Sequence, residues 1–167
     1  MSDIPNWRVI KNGDIDGCRE RISQYLQSQH EFYKIILINT QGVIVVDTVG
    51  DPGIDVSDRK YFKEAKKGHP SISSVIVSRG TTSKGIAIIV FARPVYDTNG
   101  QFSGVIAGTV KMQTIDDIME DFRFGKTGET FLVDKDGMML TESRFTPELI
   151  QKGIVTESAK LAVLVQK

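Results

Sequence analysis

The stretch 85-GIAIIVFARPVYDTNGQFSGVIAGTVKM-112 holds two long apolar, β-branched runs around the polar tetrad Asp97–Gly100. Runs of that kind, bounded by turn formers, read as antiparallel strands over 85–95 and 101–112. Working backward, 71–79 is a further strand, joined to the first by the polar link 80-GTTSK-84. Ahead of it, 55-DVSDRKYFKEAKKG-68 reads as a short helix at 58–67 closed by Gly68. Earlier still, 34-KIILINTQGVIVVDT-48 reads as a hairpin about a glycine turn. Three successive strands after a helix predict an α+β domain with an antiparallel sheet rather than alternating β-α-β units.

Helices flank these strands. From Asp14 to Gln29, Ile15, Cys18, Ile22 and Tyr25/Leu26 recur at spacings of three and four, which predicts an amphipathic helix capped by Asp14. Its apolar residues can face a partner copy or pack on the chain's own sheet. A second helix is expected over 114–122, with Thr114 as N-cap and Asp116 and Asp117 in the dipole-favoured first turn. Beyond it, 130-TFLVDKDGMMLTES-143 repeats the strand–turn–strand layout of 36-ILINTQGVIVVDT-48, so that Asp134–Gly137 answers Asn39–Gly42. Thr146 and Pro147 then suit the N-cap and first position of another helix.

Composition narrows the function classes. The chain has 167 residues, 40% hydrophobic and 25% charged, with 21 basic and 21 acidic side chains. No basic block interleaves with aromatics, so nothing favours a nucleic-acid partner. A single cysteine, Cys18, excludes an internal disulfide and a cysteine metal cage. The longest apolar runs fall far short of the ~18–20 residues of a membrane helix. His30 and His69 sit outside any nucleophile or metal-ligand spacing, and no phosphate-cradling glycine loop precedes a helix. The glycines of 124-FGKTGET-130 lie before a strand. The expectation is a chain without catalytic residues, metal or cofactor. A thiol enzyme would need Cys18 exposed beside a base.

The helix at 58–67 is the exception to this blandness. Arg59 stands in its first turn, where the macrodipole gives a cation nothing, with Asp58 as the expected cap. The guanidinium fork and the helix N–H groups can converge on one anion such as a carboxylate. Tyr61 and Phe62 project about 100° apart, one toward the core and one toward a cavity.

With the motifs D-R-x-Y-F at 58–62 and P-V-x-D-x-x-G-x-x-x-G-V at 94–105, and the segment GKTGETFLVDKDG, the chain resembles the Cache sensor domains of bacterial and archaeal receptors. That resemblance spans roughly Asp14 to Arg144. It implies a PAS-like sheet flanked by helices, with a long N-terminal helix. It divides the chain into an N-terminal helix stub (1–32), a membrane-distal ligand-binding module (33–123) and the beginning of a truncated membrane-proximal module (124–167). It also implies an extracytoplasmic location in a membrane-anchored receptor of the histidine kinase, chemoreceptor or diguanylate cyclase type. A homodimer through the N-terminal helix is the expectation where Ile15, Cys18 and Ile22 face a partner copy.

In the amino-acid-binding branch of that family, an arginine with aromatic neighbours holds the ligand carboxylate and an acid on the last strand holds the ammonium. Arg59, Tyr61 and Phe62 match the first half, but Thr109 stands where the acid would be and Ile76 where a tyrosine would be. An ammonium desolvated without a partner costs several kcal/mol. The expected ligand is therefore a small carboxylate without an amine, with Ser74, Ser78 or Thr109 offering hydroxyls. The competing expectation is a spacer and dimerisation module whose cavity is filled by its own side chains.

Overall fold

The computed structural model describes residue 4 and residues 8–50, 52–121, 128–130, 132, 133, 140, 141, 143 and 145–154. Its centre is the long hairpin read first in the sequence. Strands β5 (Ala87–Tyr96) and β6 (Phe102–Lys111) pair antiparallel, from Ile88 opposite Lys111 to Val95 opposite Gly104, with a register shift at Tyr96. The turn between them is closed by the Asp97 side chain, whose Oδ1 accepts the Asn99 and Gln101 N–H groups. Asn39 does the same in the first hairpin, accepting from Gln41 and Val43. In both turns a glycine supplies the positive φ that closes the loop, +92° at Gly42 and +77° at Gly100. The third matching tetrad, Asp134–Gly137, lies outside the described residues.

Strands β1 (Lys34–Ile38) and β2 (Ile44–Asp47) form that first hairpin, and β1 also pairs with β6. On the other side of β5 the strand expected over 71–79 is cut in two, β3 (Ser71–Ile72) and β4 (Ile76–Val77), both paired with β5. The cut falls at Ser73, whose hydroxyl takes the Val90 N–H and so competes with the ladder. The antiparallel order is β2-β1-β6-β5-β3, with β4 beside β3 on β5.

All five β1 residues are buried, which requires cover on both faces of the sheet. One cover is α2 (Ile15–Gln27), capped as expected by Asp14, whose Oδ1 accepts the Gly17 N–H at 3.0 Å. A shorter helix, α1 (Arg8–Lys11), precedes it. Cys18 and Ile22 pack on the chain's own sheet against Ile35, Leu37, Val46 and Ile106, while Ile15 remains exposed. The opposite face is covered by α3 (Lys60–Lys66), which buries Tyr61, Phe62 and Ala65 over Ile36, Val90 and Ala107.

Three helix starts differ from expectation, the first being α3, which begins at Lys60 rather than at 58. Helix α4 (Met112–Asp121) runs directly out of β6, because Met112 is buried with Val75 and Ile89 and fixes its start ahead of Thr114. Asp116 and Asp117 therefore lie past the first turn. Helix α5 (Thr146–Gln151) is capped by Phe145, one residue before the expected cap.

Candidate functional site

Arg59 is the N-cap of α3, not a residue of its first turn, and its backbone is extended (φ −68°, ψ 134°). Asp58 does not cap the helix. Its two oxygens take the Arg79 fork at 2.7 Å each, a bidentate geometry that a single backbone N–H cannot match. The pairing holds the Asp58 carboxyl below its ordinary range and raises Arg79. Arg59 makes no side-chain cap to α3. Instead Arg59 reaches across to β4, where Nη2 donates to the Val77 carbonyl at 2.8 Å. Among the described residues no carboxylate lies within ion-pair distance of this half-buried guanidinium.

Beneath Arg59 is a cavity between α3, β4 and the sheet, of about 30 Å³. That is room for about one water in the present conformation. Its walls are apolar below, from Ile36, Ile44, Ile88 and Val90, and polar above and at one end, from Arg59, Tyr61, Ser78, Thr109 and Lys34. Of the residues singled out in the sequence, Arg59, Tyr61, Ile76, Ser78 and Thr109 meet here. Phe62 does not: it is buried in the core under α3, with the Lys66 ammonium 5.9 Å above its ring. Ser74 is exposed, because the break between β3 and β4 takes it out of register with Ile76 and Ser78. Burial pushes the Tyr61 phenol up to about 12 against the opposing pull of Arg59 and Arg79, so it stays a neutral hydroxyl at physiological pH.

The polar end was not anticipated. Lys34 Nζ lies 2.6 Å from Asp47 Oδ2, and the two side chains are 3% and 0% exposed. Asp47 Oδ1 also accepts the Val49 and Gly50 N–H groups. The 80–84 link folds over this pair. Ser78 and Ser83 hydroxyls bond each other at 2.7 Å, and the Gly80 N–H donates to Ser78 Oγ. A Cβ at Gly80 would sit 2.7 Å from Lys34 Nζ and 2.6 Å from Ser83 Oγ, so a larger residue there would have to displace these side-chain ends. Thr109 Oγ1 donates to the Lys34 carbonyl at 3.3 Å. The available signal was one lysine and one aspartate at the ends of otherwise apolar strands, brought to one face by the pairing of Ile36 with Asp47.

Other chemistry finds little here. Cys18 is buried, and desolvation, then the Asp14 charge, pushes its thiol up to about 11, which keeps it protonated near neutrality. Among the described residues no cluster of three or more His, Cys, Asp or Glu could hold a metal, and no helix is long and apolar enough to cross a membrane.

Comparison with known proteins places this arrangement. No curated protein sequence matches the chain. Among solved structures, the ligand-binding domain of the Pseudomonas fluorescens chemoreceptor CtaA, in complex with L-serine, is similar with a TM-score of 0.69 at 22% identity, over 96% of this chain and 66% of that one. The ligand-binding domain of the Campylobacter jejuni chemoreceptor Tlp3, in complex with 4-methylisoleucine, gives 0.67 at 16%, over 93% and 62%. That of the Pseudomonas aeruginosa PAO1 amino acid chemoreceptor PctC, in complex with GABA, gives 0.57 at 26%, over 75% and 56%. The chain thus spans less than two-thirds of the length of each of these three, and the likeness is one of fold. The Cache domain family matches over residues 6–163, nearly the whole sequence. With its PAS-like antiparallel sheet between helices and the motifs at 58–62 and 94–105, the chain belongs to the Cache domain family.

Proposed function

We propose that this chain is the ligand-sensing, extracytoplasmic part of a membrane-anchored signalling receptor, and that residues 33–123 bind a small carboxylate at Arg59. The observation that carries the reading is a half-buried guanidinium at a cavity roof that has, among the described residues, one backbone carbonyl as its partner, while the neighbouring Asp58 is committed to Arg79. A planar fork with spare N–H donors suits a carboxylate. Tyr61, Ser78 and Thr109 supply hydroxyls around it. Ligand complexes of the chemoreceptor domains with the same fold lend support.

A cavity of about 30 Å³ is too small for even a three-carbon acid, so binding selects a more open arrangement. The Arg59–Val77 contact and the 80–84 link are the parts whose displacement opens it. The signal passed on is bounded by the ligand's differential affinity for the two arrangements. Pairing of two copies along α2 belongs to the same proposal, with Ile15 the one of its three named apolar residues left exposed.

The test is a thermal-shift screen of the whole chain with short carboxylic acids, amino acids, amines and purines. A ligand at a hundredfold excess over its dissociation constant stabilises by about 2.7 kcal/mol. The expected result is a shift with carboxylates that is lost in Arg59→Ala; undiminished binding by that variant refutes the assignment. The small cavity also favours a second reading, a ligand-free spacer and dimerisation module, which an absence of shift with every class would support.

A further inference from the structure

We propose that Lys34 is a second ligand-binding residue of this cavity, and that it selects small monocarboxylic acids carrying an oxo or hydroxyl oxygen over those carrying an amine. This rests on the reading of Arg59 as the carboxylate anchor. Lys34 is 3% exposed and lines the cavity. An ammonium has three N–H donors. One goes to Asp47, and the other two have no acceptor among the described residues. Ser78 and Ser83 share one hydrogen bond, Ser78 Oγ also accepts the Gly80 N–H, and the Thr109 hydroxyl proton is directed at the Lys34 carbonyl. A desolvated cation with spare donors is improved by an oxygen acceptor and worsened by another cation.

The charge count sets the ligand's own charge. Lys34 is matched by Asp47 and Arg79 by Asp58, which among the described residues leaves Arg59 as the unmatched charge of the lining. One carboxylate neutralises it; a second would be in excess. Asp47 holds Lys34 and two backbone N–H groups and is not part of the cavity wall, so it offers no seat for a ligand ammonium. An amine at this end would face the Lys34 ammonium instead. The ligand that fits is a short oxo- or hydroxy-acid with its carboxylate on Arg59 and its second oxygen on Lys34.

The experiment is calorimetric titration of the full chain with pyruvate, lactate, propionate and alanine, repeated with Arg59→Ala and with Lys34→Met/Asp47→Asn. The double variant removes both charges together, so that no buried carboxylate is stranded. For the parent chain, pyruvate or lactate should bind about tenfold or more tightly than propionate, and alanine more weakly than propionate. In the double variant the preference over propionate should fall toward one. Equal binding of the three acids by the parent overturns the inference, and this comparison needs no variant to fold. Tightest binding by alanine, or a preference that survives the double substitution, overturns it too. Loss of all binding in Arg59→Ala together with a ratio of one leaves the carboxylate site standing without Lys34. Unchanged affinity in Arg59→Ala, or no binding by any acid, removes both.

Discussion

The two faces of the sheet differ more than any other two regions of the molecule. Strand β1 contributes to both: Ile35 and Leu37 go to the α2 side, and Lys34, Ile36 and Ile38 to the α3 side. The α2 side is closed by aliphatic residues and one protonated thiol. The α3 side buries an ion pair, a serine pair and a threonine around a cavity. Burying polar groups is costly unless they are paired, so a fold that places them all on one face has kept the other for cohesion. The difference separates what holds the sheet together from what can be rearranged at it.

Substitutions on each face should break apart in kind. Lys34→Met alone leaves Asp47 buried without its cation and should cost about 3–5 kcal/mol in urea unfolding. Lys34→Met/Asp47→Asn should recover most of that loss; a double variant as unstable as the single one would show that packing, not charge, dominates the site. On the other face, Ile22→Ala should cost roughly 2–4 kcal/mol through the cavity it leaves. It should leave the ligand-induced shift in melting temperature unchanged, and a changed shift would mean the two faces are coupled more tightly than their packing suggests.

Alkaline titration sharpens the same comparison with a smaller effect. The Cys18 thiol is raised from 9.0 to about 11 and the Tyr61 phenol from 10.0 to about 12. Both are neutral acids whose proton is held more firmly when folded. Each stabilisation is therefore complete below the unfolded value and is lost as pH climbs through the folded one. Unfolding free energy should begin to fall near pH 9 in the parent, and only near pH 10 in Cys18→Ala. Tyr61→Phe should remove the upper part of the decline. A loss of at most roughly 2–3 kcal/mol per group is expected, spread over about two pH units. A parent curve flat to pH 11 would contradict both assignments.

Most of the fold was legible because its signals are local. The alternating runs of 85–112, the side-chain-closed turns at Asn39 and Asp97, and the Asp14 cap each depend on residues a few positions apart. What depended on distant partners was read less well. Asp58 looked like a cap until Arg79, twenty-one residues on, claimed its carboxylate. Thr114 looked like a helix start until the burial of Met112 moved it. Within the site, Ile76 and Thr109 were named through the family resemblance and Ser78 as a nearby hydroxyl, and Ser74 dropped out where the strand breaks. Lys34 and Asp47 were hidden because a charge at a strand end reads as solvated until the register of two hairpins shows what it faces.

The cut at Ser73 bears on how copies of this chain behave when crowded together. An unbroken strand over 71–79 would offer a long run of free backbone groups on the outer side of β5, with the exposed Ile72 beside it. Such a rim is a template for the strand of another molecule. Two short pieces, one hydroxyl turned inward to Val90 and a glycine-containing link folded back over the cavity leave no straight row to copy. The irregularity that removes Ser74 from the cavity also blunts the sheet against edge-to-edge assembly.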